Sequence, residues 1–392
     1  MLYYDNAATT KVDEKLERIL HDMFFENFGN PSSVHTVGQR AKEVIERTRE
    51  LVAVSVNCEP DEIIFTSGGS ESNNLALKGF SFANDCEIIT TPIEHKSVLE
   101  ACKFLQKQQI NKYYTVDIDS GGMVEMFSLQ EKLAEVRSYS LTPLVSIQLA
   151  NSEIGTIQPI KEIAEVVHSF GGVLHVDAVQ AYFTIEIDVQ DMGIDMLSVS
   201  GHKIGLPKGI GFLYKKNSVK IEPLIHGGGQ EHGLRAGTEN TAYIAAWNDK
   251  LCRDFSAQDI GQKAEQLYLM RTYLEKKLLQ IPDSRINGSE NKLPGNISIS
   301  FKDIDGETLM MLLDTNDLEV SNGSACNAGS QEPSYVLKAI KVPDDYINGT
   351  IRITIAPKKK SNSYRLEPTD YVELDRAAEK ISKYVNILRK VR

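Results

Sequence analysis

The sequence predicts an α/β protein with a large domain on a mostly parallel seven-stranded sheet and a smaller α/β domain. Three observations carry this expectation. From about residue 61 to 214, short β-rich runs alternate with segments of helical periodicity, the pattern of a parallel sheet covered by helices. From about 238 to 279 the periodicity is helical throughout, and from 296 to 355 a second, shorter alternation follows. The length of 392 residues also exceeds what one core usually fills. We expect the large domain at 15–255 and the small one at 1–14 and 256–392.

In chain order, the runs at 62–66, 87–90, 112–116, 144–149, 172–176, 195–199 and 210–214 read as the strands of the large sheet. Among the helices between them, 161–170 sets Ile163, Val166 and Val167 on one face. Leu267, Met270, Leu274 and Leu278 recur at helical spacing in the long-helix region. The second alternation reads as strand 296–301, helix 307–313, strand 318–320, helix 333–340 and strand 350–355. An amphipathic helix from about 369 to 388 follows, and Lys358-Lys359-Lys360 reads as a solvated loop.

The net charge of −11 argues against nucleic acid or an anionic membrane as partner. Met-Leu-Tyr-Tyr-Asp-Asn has neither the basic stretch nor the apolar core of a signal peptide. No apolar run reaches the ~20 residues that span a bilayer. Cys58, Cys86, Cys102, Cys252 and Cys326 form no C-x-x-C pair, which argues against a disulfide framework or structural zinc and for a reducing cytoplasm. Cys102 and Cys252 lie in apolar patterns, as buried structural thiols do.

The chemistry concentrates at strand ends. Ser198-Val199-Ser200-Gly201-His202-Lys203 closes one strand-like run, and Asp177 closes the preceding one. A lysine there can form a Schiff base with an aldehyde cofactor. The aspartate can keep a pyridine nitrogen protonated, so that the ring works as an electron sink. Together they describe a site for pyridoxal 5'-phosphate. Thr66-Ser67-Gly68-Gly69-Ser70 follows a strand and opens a helix, where small residues and free N–H groups suit a phosphate. Ser70, Ser200 and His202 add side-chain donors. His95, after another strand, can stack on the ring and shuttle protons. Gly68, His95, Asp177 and Lys203 all fall beyond the carboxyl ends of strands, where such sheets bind ligands.

Residues 321–330, Ser-Asn-Gly-Ser-Ala-Cys-Asn-Ala-Gly-Ser, place one thiol among small residues. Backbone of this kind can swing, as a nucleophile travelling between two partners requires. Loop placement also favours solvent access and thiolate reactivity at Cys326.

With these residues the chain resembles the NifS-like cysteine desulfurases, in the class V aminotransferase group of fold-type-I pyridoxal-phosphate enzymes. Tyr4-Asp5-Asn6-Ala7-Ala8-Thr9-Thr10 is similar to that family's N-terminal signature. The block at 27–33 with His35 and Gly38, the loop His226-Gly227-Gly228-Gly229-Gln230-Glu231 leading to Arg235-Ala236-Gly237-Thr238, and Ser324-Ala325-Cys326 before Glu332-Pro333-Ser334-Tyr335-Val336-Leu337 also match.

The resemblance implies that Lys203 carries the cofactor and removes the substrate Cα proton, while Asp177 pairs with the pyridine nitrogen and Gln180 with the ring hydroxyl. Gly69, Ser70, Ser200, His202 and, from the other subunit of a homodimer, Thr238 would hold the phosphate. His95 would stack on the ring, and Arg352 with Asn30 would bind the substrate, Arg352 as a carboxylate clamp. Cys326 would take sulfur from L-cysteine as a persulfide, leaving L-alanine. A sulfur-acceptor protein would receive it for iron–sulfur cluster assembly or for tRNA or cofactor thiolation. No metal is implied.

The chain departs from the family pattern twice. Ser152 stands where an asparagine is usual near the ring hydroxyl, and the segment after Arg352 is longer and more basic. Selenocysteine lysis or transamination on the same fold is the nearest rival reading. A non-catalytic carrier or regulatory subunit is the rival from another class. Conversion of cysteine to alanine that depends on Cys326 separates the first, and a cofactor absorbance band the second.

Overall fold

The computed structural model of the chain describes residues 1–322, 333–359 and 364–391. Its first strand, β1 (Leu2–Tyr3), belongs to a small sheet far along the chain. The central sheet comprises β2 (Ile63–Thr66), β3 (Cys86–Thr90), β4 (Tyr113–Thr115), β5 (Thr142–Gln148), β6 (Val173–Asp177), β7 (Met196–Ser200) and β8 (Gly211–Lys215), in the order β2-β8-β7-β6-β5-β3-β4. All seven strands expected from the sequence are present.

Every neighbouring pair is parallel except those of β8, which runs antiparallel to β2 and β7. The reason is chain length. Residues 201–210 are too few for a crossover helix, so β8 must return in a hairpin-like sense. That short connection carries Lys203.

The sheet is apolar on both faces because helices cover both. Ile63, Phe65, Leu197, Val199, Phe212 and Tyr214 pack in one core with Trp247. Their neighbours in sequence, Ile64, Met196 and Leu213, pack in another beneath the helices Gly69–Ala83 and Lys96–Lys107.

A further core forms around β9 (Ser284–Ile286), β10 (Asn296–Phe301) and β12 (Thr350–Thr354), an antiparallel sheet ordered β12-β10-β9. Ile297, Ile299, Ile351 and Ile353 face the helices Ala257–Leu278 and Pro368–Val391, whose Leu267, Met270, Leu274, Leu278 and Ile381 are buried. Tyr4 joins this core, and β1 pairs in parallel with β11 (Leu318–Glu319).

Two expectations are corrected. Lys358 and Lys359 are not a solvated loop: Lys358 pairs with Glu373 and Asp370, and Lys359 with Asp254 at 3.1 Å and Asp259 at 3.6 Å, while Lys360 lies outside the described residues. The acidic partners lie on the flanking helices, which sequence proximity does not reveal. Cys102 is buried, but Cys252 is exposed, on the outward side of the helix Thr241–Asp254. Among the described residues no helix is long and apolar enough to cross a membrane.

Candidate active site

Beyond the carboxyl ends of β2, β3, β6 and β7 lies a cavity of about 520 Å³. Its lining includes Gly69, Ser70, His95, Ser152, Asp177, Gln180, Ser200, His202, Lys203 and Arg352. These ten residues come from six separate stretches of the chain. Thr238 and Asn30 do not line it: both are exposed, and Asn30 Oδ1 accepts from Ser32 N at 2.9 Å. Cys326 lies outside the described residues.

The floor is built by β6. Asp177 is buried at its end, where Oδ2 accepts from Asn73 Nδ2 at 2.7 Å and Oδ1 from Val179 N at 3.0 Å. Two donors on one carboxylate fix its direction. Two residues earlier on the same face, His175 sits between Ser146 Oγ and Ser198 Oγ, each 2.9 Å away, and burial pushes its pKa down to about 3. This neutral imidazole ties β5, β6 and β7 together under Asp177.

Opposite, Lys203 Nζ donates to Ala7 O at 2.5 Å and Ala8 O at 2.7 Å. Gln180 Nε2 shares Ala7 O at 3.0 Å. Thr10 N and its hydroxyl bind His202 O, so the N-terminal segment is stitched along the lysine's turn. Burial, with Lys203 and Lys208 nearby, lowers the pKa of His202 to about 4, and its ring is therefore neutral. Its Nδ1 lies 3.1 Å from Thr9 Oγ1, which leaves Nε2 to carry the proton when that hydroxyl donates.

The phosphate-sized end is glycine-built. Gly68 has φ +149°, in a region side chains avoid. A Cβ on Gly211 would meet Gly68 Cα at 2.6 Å, so β8 can approach the turn only as glycine. The helix Gly69–Ala83 starts here, with its first N–H groups and Ser70 toward the cavity. Glu71 braces the turn: it accepts from Ser67 N at 2.7 Å and from Arg235 Nε at 2.9 Å. His95 caps the helix Lys96–Lys107, and because Ser97 N donates to its Nδ1 at 3.1 Å, Nε2 holds the ring proton.

At the other end Arg352 is only 3% exposed. Its Nη2 meets Asp5 Oδ1 at 2.7 Å and its Nη1 meets Ser152 O at 3.1 Å. Its Nε is buried without a hydrogen-bond partner, as is Asn73 Oδ1. Unmet polar atoms of this kind fit a polar ligand in the cavity. An aldehyde-bearing pyridine with a phosphate fits the set: glycine cradle, buried carboxylate, amine and imidazole.

Sequence reasoning did not single out Asn73, Glu71 or Asp5. Asn73 stands one helical turn beyond Gly69, on the same face. That spacing was the available signal. Asp5 gave none beyond its place in the N-terminal block, because its partner Arg352 is 347 positions away. Among the described residues no cluster of His, Cys, Asp or Glu could hold a metal ion.

The family model for class-V aminotransferases matches residues 2–363. The chain is 40% identical over 387 residues to cysteine desulfurase IscS of Dictyoglomus turgidum, a match covering 97% of this chain and 95% of that protein. It is similar to a solved NifS-like protein, with TM-score 0.87, 34% identity and coverage of 99% and 100% of the two chains. It is also similar to SspA, solved in complex with cysteine, with TM-score 0.78 and 34% identity over 92% of this chain and 100% of that one.

Proposed function

The chain belongs to the class-V aminotransferase family and, within it, to the cysteine desulfurases, and from that premise we propose how its own residues carry the reaction. The fold is that of the fold-type-I pyridoxal-phosphate enzymes, and the reaction removes sulfur from L-cysteine to leave L-alanine. When bound, pyridoxal phosphate supplies a ring that draws electrons from the substrate Cα.

Gly69, Ser70, Ser200 and His202 hold the phosphate, joined by Thr238 of the partner subunit. Asp177 keeps the ring nitrogen protonated. Its burial and its two fixed donors support this. Gln180 and Ser152 lie at the ring hydroxyl, and His95 stacks on the ring and passes a proton through Nε2. Lys203 anchors the cofactor and then moves the Cα proton; the carbonyls of Ala7 and Ala8 hold its amine in the cavity. Arg352, oriented by Asp5 and the Ser152 carbonyl, binds the substrate carboxylate. Cys326 takes the sulfur: an S–S bond forms as the substrate's Cβ–S bond breaks, and Cβ gains a proton to give alanine.

The single observation that carries this reading is the convergence of Lys203, Asp177 and Arg352 on one cavity. We read residues 15–255 as the large domain and 1–14 with 256–392 as the small one, supported by their separate cores. A homodimer that delivers the persulfide to an acceptor protein, for iron–sulfur cluster assembly or for tRNA or cofactor thiolation, in the cytoplasm, completes the proposal. The IscS relatives and the unpaired thiols of Cys58, Cys86, Cys102 and Cys252 support it.

The test is mass spectrometry of the Cys326 peptide after the holoenzyme meets L-cysteine. We expect one added sulfur atom and alanine in equal amount. Alanine with no modified Cys326 overturns the assignment in favour of a lyase.

A further inference from the structure

The segment that carries Cys326 starts and finishes against the rim of the same cavity. At its start, Ser321 N donates to Arg352 O at 3.0 Å and Arg352 N to Ser321 O at 2.5 Å. At its end, Ser334 Oγ donates to Glu153 Oε2 at 2.5 Å, and Tyr335 Oη to the carbonyl of Glu94 at 2.6 Å. The Ser334 hydroxyl also accepts from Val336 N and Leu337 N, at 3.1 and 3.3 Å.

Glu153 is itself rigidly presented. Asn151 Oδ1 accepts from the N–H groups of Glu153 and Ile154, at 2.8 and 3.0 Å. Gly155, at φ +76°, closes the turn. Ser152 therefore lines the cavity with its carbonyl on Arg352, while the next side chain turns away to Ser334. Glu153 is buried and does not line the cavity, so the reaction as described makes no use of it. A buried carboxylate is costly unless it serves a partner.

We propose that Glu153 is a positioning residue for sulfur transfer, which through Ser334 holds the C-terminal end of the Cys326 segment at the cavity rim. The proposal rests on the reading of Cys326 as sulfur acceptor. A carboxylate does this better than an amide because a charge-assisted bond is shorter and about twice as strong. Burial pushes the pKa of Glu153 up to about 7, against the pull of the Ser334 hydroxyl, Arg352 and Lys96, the groups that face it. The anchor is therefore firm above neutral pH and weakens as Glu153 takes up a proton below it.

The experiment compares holoenzyme carrying E153Q, S334A and both, with C326S alongside. Cofactor content and the spectral change on adding L-cysteine are read first, then alanine formation between about pH 6 and 8.5. We expect both to be kept, KM within about twofold, and kcat down roughly tenfold in each single variant, the worth of one charge-assisted bond. The double variant should be no slower than the singles, since both act through one contact. The fall of kcat below pH 7 should be shallower in E153Q than in the parent. A raised KM with unchanged kcat overturns the proposal, because Glu153 then serves the Arg352 clamp; additive losses in the double variant overturn it too. If E153Q loses its cofactor, S334A decides alone, and parental kcat there overturns the proposal. Alanine at the parental rate in C326S removes the desulfurase reading and this proposal with it. An inactive C326S beside normal E153Q and S334A removes only the positioning role.

Discussion

If Arg352 is the carboxylate clamp proposed above, it meets its substrate already oriented, because Asp5 and the Ser152 carbonyl hold two of its nitrogens. Arg352→Ala should therefore raise the cysteine KM by roughly ten- to a hundredfold while cofactor content stays, the worth of a charge-assisted pair. Steady-state kinetics beside an absorbance titration of the cofactor check both halves, and an unchanged KM would move the clamp elsewhere. At this scale Asp177 was legible because it closes β6 and Lys203 because it lies in the turn just after β7, and strand ends are where such sheets place ligands. Asp5 and Asn73 were not, since what they do depends on partners that only folding brings near. Asn30 and Thr238 came from resemblance alone, and within one chain neither reaches the cavity.

Between β7 and β8 the chain makes the turn that presents Lys203, and β8 then packs against the phosphate-sized end through Gly211. An added methyl there would sit 2.6 Å from both Gly68 Cα and Val199 O, neither of which can rotate away. Gly211→Ala should cost about 1–3 kcal/mol of stability. It should also weaken cofactor retention, measured by thermal unfolding with and without added pyridoxal phosphate. Normal retention would show that the turn adapts. The seven central strands were legible because apolar runs of strand length stand between helical patterns. The reversed sense of β8 was not: periodicity reports which face a residue takes, never which way a strand runs. The pairing of Lys358 and Lys359 was hidden for a related reason, as their carboxylates belong to helices that pack alongside only in the fold.

For the whole molecule, two behaviours follow. His175 is neutral in the fold, its pKa lowered from 6.5 to about 3 by burial. The unfolded chain binds that proton below about pH 6.5 and the native chain does not, so stability is lost as pH falls through this window, by an amount on the order of a few kcal/mol. Melting temperatures from pH 7 to 4 should fall less steeply in His175→Gln than in the parent; parallel curves would assign acid lability to other groups. The second behaviour concerns subunits. If Thr238 of the partner subunit completes each site, mixed dimers of Thr238→Ala and Lys203→Ala chains contain one intact site, and co-expression should restore activity that neither variant has alone. No restoration would place Thr238 within its own chain's site. The N-terminal stretch has a consequence of another kind, in how the protein is made. Residues 5–10 hold Lys203 and Arg352, yet Asp5 and Arg352 are 347 positions apart. At about 5–20 residues per second, the first of these partners waits some tens of seconds on the ribosome for the last. Residues 5–10 and Lys203 are thus made well before Arg352, and a nascent chain that has not reached Arg352 cannot close this cavity.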